Sequence, residues 1–329
     1  MYNYVHIKDK VSTVNGYNPS GRDVVFLLRG LSRSYKGWLG LEEEISEKYD
    51  VVCVDLPGVG LSKNEKPLYK IEDIAEKFIE VINHLKLDNV YIVAPSLGSL
   101  VTYEIVRAFA PSRIAGLLII VPSHSGIGLN RLSALGIKTL GSAGFVSKEV
   151  KLSMLKELLI GKTVLEMDPF SEDVHLERRW RNQLAQDNDD LGTKGQLAQV
   201  FAAAKYTSKK GLDYIRNNQI PMKVMYAGAD RMIPISHKKA IYEYIKHSYS
   251  ELIEMQHSGH DFVVTHKEQV KEVIDRLIGE KDLYPVRSSN KPVLTAIAKN
   301  NNKNIFFFLS TLIFGILLMV SVNKYKKKH

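Results

Sequence analysis

A single cysteine among 329 residues excludes any disulfide within the chain. That cysteine, Cys53, sits inside the apolar run VVCVDL. There it reads as a small core residue rather than a reactive thiol. No His or Cys cluster has zinc-ligand spacing and no glycine loop has phosphate-binding spacing, so neither a metal nor a nucleotide cofactor is expected. No period repeats along the chain. Acidic residues are absent from Lys299 to His329, a stretch that holds six lysines. Without it the chain carries 39 basic against 36 acidic residues, so the net charge of +9 is largely local to the tail. The body has no basic helix interleaved with aromatics, which argues against a nucleic-acid partner.

The tail has a different origin. Ile305 to Val322, IFFFLSTLIFGILLMVSV, contains no charge. As a helix it would extend roughly 27 Å, close to the hydrocarbon thickness of a bilayer. A membrane partner through a single C-terminal span is the expectation. Ser288 to Asn304 is polar and rich in asparagine, with no clear period, and reads as a tether. The N-terminal MYNYVHIKDKVSTV is interrupted early by Lys and Asp and resembles no secretory signal. The expected arrangement is a head on the cytosolic side and a C-terminal anchor. Lysines flank both sides of the run, so charge does not select its orientation.

Within the head, short apolar runs start at Val24, Tyr49, Asn89, Ile114, Met222 and Ser250. Most are continuous rather than alternating, as in strands buried on both faces of a parallel sheet. Helical patterns separate them. In IEDIAEKFIEVINHL, residues Ile71, Ile74, Ala75, Phe78, Ile82 and Leu85 form one stripe. From about Gly126 to Arg216 only helix and loop patterns occur, which suggests a helical insertion between two core strands.

In open α/β sheets the carboxyl ends of the strands share one crevice. The runs from Asn89, Met222 and Ser250 lead into APSLGS, GADRMIP and HSGHDF, so Ser96, Asp230 and His260 lie at three strand ends in that chain order. A serine hydroxyl becomes a useful nucleophile when a neighbouring base removes its proton, and a carboxylate can orient that base. Small residues at Ala94, Gly98 and Ser99 suit a sharp strand-to-helix turn around Ser96. His257 is a rival base, three residues before His260. Arg29 either binds an anionic group on a substrate or makes a structural ion pair. Asp55 in DLPGVGLS reads as a loop-shaping residue.

These motifs resemble the α/β-hydrolase superfamily from about Val24 to Glu280. APSLG resembles the nucleophile elbow with alanine at its first position, and DLPGVGLS, YAGADRMIP and SGHDF resemble the other family segments in the correct order. Arg29-Gly30 stands where the family usually has His-Gly. The resemblance implies an α/β-hydrolase fold with a mostly parallel sheet flanked by helices; the strand-free stretch adds an inserted helical cap and the uncharged run a C-terminal transmembrane helix. The expected divisions are a core over 1–125 and 217–283, a cap over 126–216, a tether over 284–304, a span over 305–322 and a basic tail over 323–329. The resemblance implies a serine hydrolase acting on an ester or thioester of a small-molecule acyl substrate, with catalytic residues Ser96, Asp230 and His260, oxyanion donors at the Leu31 and Leu97 N–H groups, and no cofactor; the uncharged tail tilts the expected substrate toward a lipid-like acyl group. Carbon–carbon hydrolases, amidases and non-catalytic binding proteins share the fold and remain alternatives.

Overall fold

The computed structural model describes residues 3–123, 132–142, 146–160, 170, 173–287 and 289. The proposed span at 305–322 lies outside the described residues, as do parts of the cap segment. Among the described residues no helix is long and apolar enough to cross a membrane.

The expected runs form β3 (Val24–Leu28), β4 (Asp50–Val54), β5 (Val90–Pro95), β6 (Ile114–Ile120), β7 (Met222–Ala227) and β8 (Ser250–Met255), all parallel in one sheet. An N-terminal hairpin, β1 (Val5–Lys8) and β2 (Val11–Val14), extends this sheet antiparallel through β4. The sheet order is β2-β1-β4-β3-β5-β6-β7-β8. The hairpin was not anticipated, because β2 is exposed at all four positions and has no buried face to impose a pattern. Its two-residue turn places Asp9 and Lys10 at φ 48° and 64°. That is the primed geometry matching strand twist, although lysine is an unusual occupant.

The helices are α1 (Leu41–Ile45), α2 (Ile71–His84), α3 (Leu97–Ala108), α4 (Ala134–Ser142), α5 (Lys148–Leu159), α6 (Val174–Lys205), α7 (Lys209–Asn217), α8 (Ile235–Ile245), α9 (Phe262–Thr265) and α10 (Lys267–Gly279). Alternate strand residues feed two apolar layers. Phe26, Leu28, Ile92 and Ala94 pack with α2, α3, α7 and α8, whereas Val25, Leu27, Tyr91 and Val93 pack with α1 and α10. Burial on both faces explains why these runs do not alternate with polar residues. Cys53 is fully buried in the second layer.

Helices α4, α5 and α6 lie between β6 and β7. Helix α6 is broken at Gly192, with φ 62° and ψ 173°, a conformation nearly confined to glycine. Within the segment assigned to the cap, α7 packs along α3, and Leu212 and Ile215 enter the core layer shared with the sheet.

Candidate active site

Ser96 lies between the last residue of β5 and the first residue of α3. Its backbone has φ 53° and ψ −117°, outside the regions a serine ordinarily occupies. Such a conformation costs roughly 1–3 kcal/mol and persists only when its surroundings impose it. Ser96 N donates to Ile120 O at 2.9 Å, while Ser96 O accepts from Ser99 N at 2.9 Å and from Ser99 Oγ at 2.5 Å. The small neighbours predicted for this turn have a visible use. A Cβ on Gly98 would lie 3.0 Å from Arg29 O, and one on Gly30 would lie 3.2 Å from Ser96 Cβ. Ala94 is fully buried.

Leu97 opens α3, and Leu31 follows Gly30 in a turn closed by Arg33 N donating to Gly30 O at 3.2 Å. Among the described residues neither the Leu31 nor the Leu97 N–H is engaged in a hydrogen bond. The Leu31 turn is pinned by Gln199 on α6, whose Oε1 accepts from Ser32 N at 2.8 Å. Sequence reasoning missed Gln199, since a glutamine in an amphipathic helix carries no sign of its distant partner.

Asp230 and His260 are brought together. His260 Nδ1–H donates to Asp230 Oδ2 at 2.8 Å, and Asp230 Oδ1 accepts from Met232 N at 2.8 Å and Ile233 N at 2.9 Å. Lys238 on α8, also missed from sequence, donates through Nζ to Asp230 Oδ2. Burial alone would raise the Asp230 carboxyl; His260, and after it Lys238, more than reverse this and hold it well below the usual carboxylate range. His260 Nε2 is buried and makes no hydrogen bond to Ser96 or to any other described residue. Catalytic hydrogen bonds are often long in the free state and tighten with substrate. The rival His257 is exposed in the turn after β8, at φ 57°, not on the strand itself.

Ser96 opens onto a cavity of about 50 Å³. Leu31, Leu97, Leu132, Val200, Ala203 and Ala204 wall it, together with Ser123 and the Met232 and Ile233 of the Asp230 turn. Its surface is therefore predominantly apolar, with polarity concentrated at the two serines. Ser123 is fixed by Ser99, with Ser123 N and Ser99 Oγ 3.1 Å apart.

Arg29 does not line this cavity. It is buried, stacks over Trp38 at 4.8 Å and donates through Nη2 to Asp261 Oδ1 at 3.0 Å. Asp261 Oδ2 accepts from Trp180 Nε1 on α6 at 2.9 Å and lies 3.7 Å from Arg33 Nη2. Of the two readings of Arg29, the structure provides the ion pair. Burial would raise the Asp261 carboxyl, but Arg29, Arg33 and the Trp180 N–H together lower it. Asp55 accepts from Tyr35 N and Leu61 N at 2.5 and 2.9 Å, which folds its own loop, while burial pushes its carboxyl up to about 7. His175 is exposed on α6, and His124 lies outside the described residues.

A family model described as alpha/beta hydrolase fold matches residues 23–267. Over 253 residues the chain is 21% identical to a dihydrolipoyllysine-residue acetyltransferase component of the acetoin cleaving system of Pseudomonas putida, covering 77% of this chain and 62% of that protein. It thus spans less than two thirds of that relative's length. It is 22% identical over 277 residues to the human monoacylglycerol lipase ABHD6, covering 80% of this chain and 76% of the relative. Among solved structures, 2-hydroxy-6-oxo-6-phenylhexa-2,4-dienoate hydrolase from Rhodococcus sp. strain RHA1 superposes with a TM-score of 0.66 at 16% identity, covering 83% of this chain and 97% of that one.

Proposed function

Because the chain belongs to the α/β hydrolase fold family, we propose that it is a serine hydrolase cleaving a carboxylic ester or thioester through an acyl-enzyme. The observation that carries this reading is the strained Ser96 turn opening onto an apolar cavity that is also lined by Met232 and Ile233 of the Asp230 turn, which holds His260. Ser96 Oγ attacks the acyl carbon while His260 Nε2 accepts its proton. Asp230 keeps the imidazole oriented through Nδ1–H and balances the charge it acquires. The N–H groups of Leu31 and Leu97 take the developing oxyanion. His260 then returns the proton to the leaving alkoxide or thiolate. Water, deprotonated by the same histidine, attacks the acyl-enzyme, and Ser96 recovers its proton as the carboxylic acid departs.

The cavity walls favour an uncharged acyl group. The run at 305–322 anchors the head at a membrane, so a lipid-like acyl ester or thioester is the substrate class. ABHD6, named as a monoacylglycerol lipase, is a relative with which this reading is consistent.

The test is labelling of the full-length chain in detergent with a fluorophosphonate probe. Labelling of the parent that is lost in both Ser96→Ala and His260→Ala supports an activated serine. A folded parent that neither labels nor hydrolyses a panel of acyl esters and thioesters is a binding protein on the same fold, and the hydrolase reading fails.

A further inference from the structure

Lys238 is fully buried in the first turn of α8, eight residues after Asp230. Lysine is almost never buried to this degree unless paired. Among the described residues its acidic partner is Asp230 alone, and it shares with His260 the same carboxylate oxygen, Oδ2. With Oδ1 taken by the N–H groups of Met232 and Ile233, Asp230 is held from four directions. The carboxylate that faces His260 is therefore already neutralised by a second cation inside the protein.

We propose that Lys238 is a positioning residue for the chemistry at Ser96: it keeps the buried Asp230 ionised and fixed, and by its charge it keeps His260 available as a base at lower pH than an Asp–His pair alone would allow. This inference rests on the hydrolase reading above.

The charge balance explains the direction. Asp230 and Lys238 sum to zero, so protonating His260 leaves the group with one excess positive charge. Without Lys238, the same protonation would neutralise the group. Of the other ionisable groups near the pair, His237 is buried next to Lys238 on α8, and the rest have their own partners or lie in solvent. Asp261, next in sequence, is matched by Arg29 and Arg33; Arg231 pairs with Glu157 at the surface; His257 is exposed. Two donors on one oxygen stand roughly 4–5 Å apart. At that separation, even with substantial screening, the repulsion corresponds to at least about one pH unit. Burial lowers Lys238 from its ordinary value and Asp230 opposes that fall.

The experiment measures kcat/KM against pH with p-nitrophenyl butyrate for the full-length parent, Lys238→Met, Lys238→Arg and Ser96→Ala. The acid limb of Lys238→Met is expected to move up by about one pH unit or more. That of Lys238→Arg, which keeps the charge, is expected to stay within a few tenths of the parent. A folded Lys238→Met whose acid limb does not move overturns the proposal, since a purely structural lysine would alter rate or stability without shifting the limb. If Lys238→Met does not fold, the combined Lys238→Met and Asp230→Asn chain, with both buried charges removed, must recover the folded state; failure to recover also overturns the proposal. Turnover that persists in Ser96→Ala defeats the hydrolase reading instead, so the two failures are distinguishable.

Discussion

Gly259, immediately before His260, supports a quantitative test of how the end of α5 meets the His260 turn. A Cβ added there would fall 2.0 Å from Ile160 O, 2.5 Å from Ile160 C and 2.7 Å from Leu159 O. All three are backbone atoms at the end of α5, and Leu159 O already accepts from Asp261 N at 2.8 Å. No side-chain rotation can relieve such contacts. Ordinary carbon–oxygen contact begins above about 3 Å, so Gly259→Ala must displace either the end of α5 or the 258–261 turn by on the order of 1 Å. Overpacking of this kind costs about 2–3 kcal/mol. A misplacement of roughly 1 Å in a catalytic group costs on the order of 100-fold in rate. The assay is the rate of fluorophosphonate labelling alongside thermal unfolding. Gly279→Ala is the control, because a Cβ at the end of α10 meets nothing within 4 Å and its φ is not positive. Gly279→Ala is expected within about 0.5 kcal/mol of the parent, and Gly259→Ala well below it with labelling slowed about 100-fold. If Gly259→Ala matches the parent in both, the end of α5 does not rest on the His260 turn and this account of their contact is wrong.

Further outcomes are expected at three other positions. Burial raises the Glu42 carboxyl from 4.5 to about 7. Its contribution is therefore complete below its unfolded value and lost as pH rises through about 7, a span equivalent to roughly 3 kcal/mol. Glu42→Gln should flatten the dependence of Tm on pH between about 5 and 8, and an unchanged slope would show that Glu42 is not the titrating group. Arg29→Met should cost about 3 kcal/mol, because it removes the hydrogen-bonded cation of the buried Asp261 carboxylate and leaves it only the Trp180 N–H and the more distant Arg33; chemical denaturation should show partial recovery when Asp261→Asn is added. Gly192→Ala should destabilise the chain by roughly 1–3 kcal/mol through its backbone conformation alone, since a Cβ there meets nothing within 4 Å. A fall of that size in thermal unfolding, with no fall for alanine at Gly279, separates conformation from packing.

Much of the core was legible because its signals are local. Six apolar runs, most of them continuous, became six parallel strands, and the stripe Ile71–Ile82 became the buried face of α2. The elbow was legible because Ala94, Pro95, Ser96, Leu97 and Gly98 act within one turn of chain. The N-terminal hairpin was not, since the exposed residues of β2 leave no periodic trace. The position of α7 was not either: its pattern is amphipathic whether it belongs to a cap or to the core, and only its packing along α3 distinguishes the two.

Spacing along the chain by itself determined the order of elements and the three strand ends carrying Ser96, Asp230 and His260, because strand and helix periods are properties of short segments. Tertiary structure decided what each side chain faces. Arg29 meets Asp261 across 232 positions, Ser32 meets Gln199 across 167, and Lys238 turns inward to Asp230 although lysine on a helix ordinarily seeks water. These are pairings of buried polar groups, whose desolvation is offset only when a partner arrives from another element. No local pattern encodes where that partner will be.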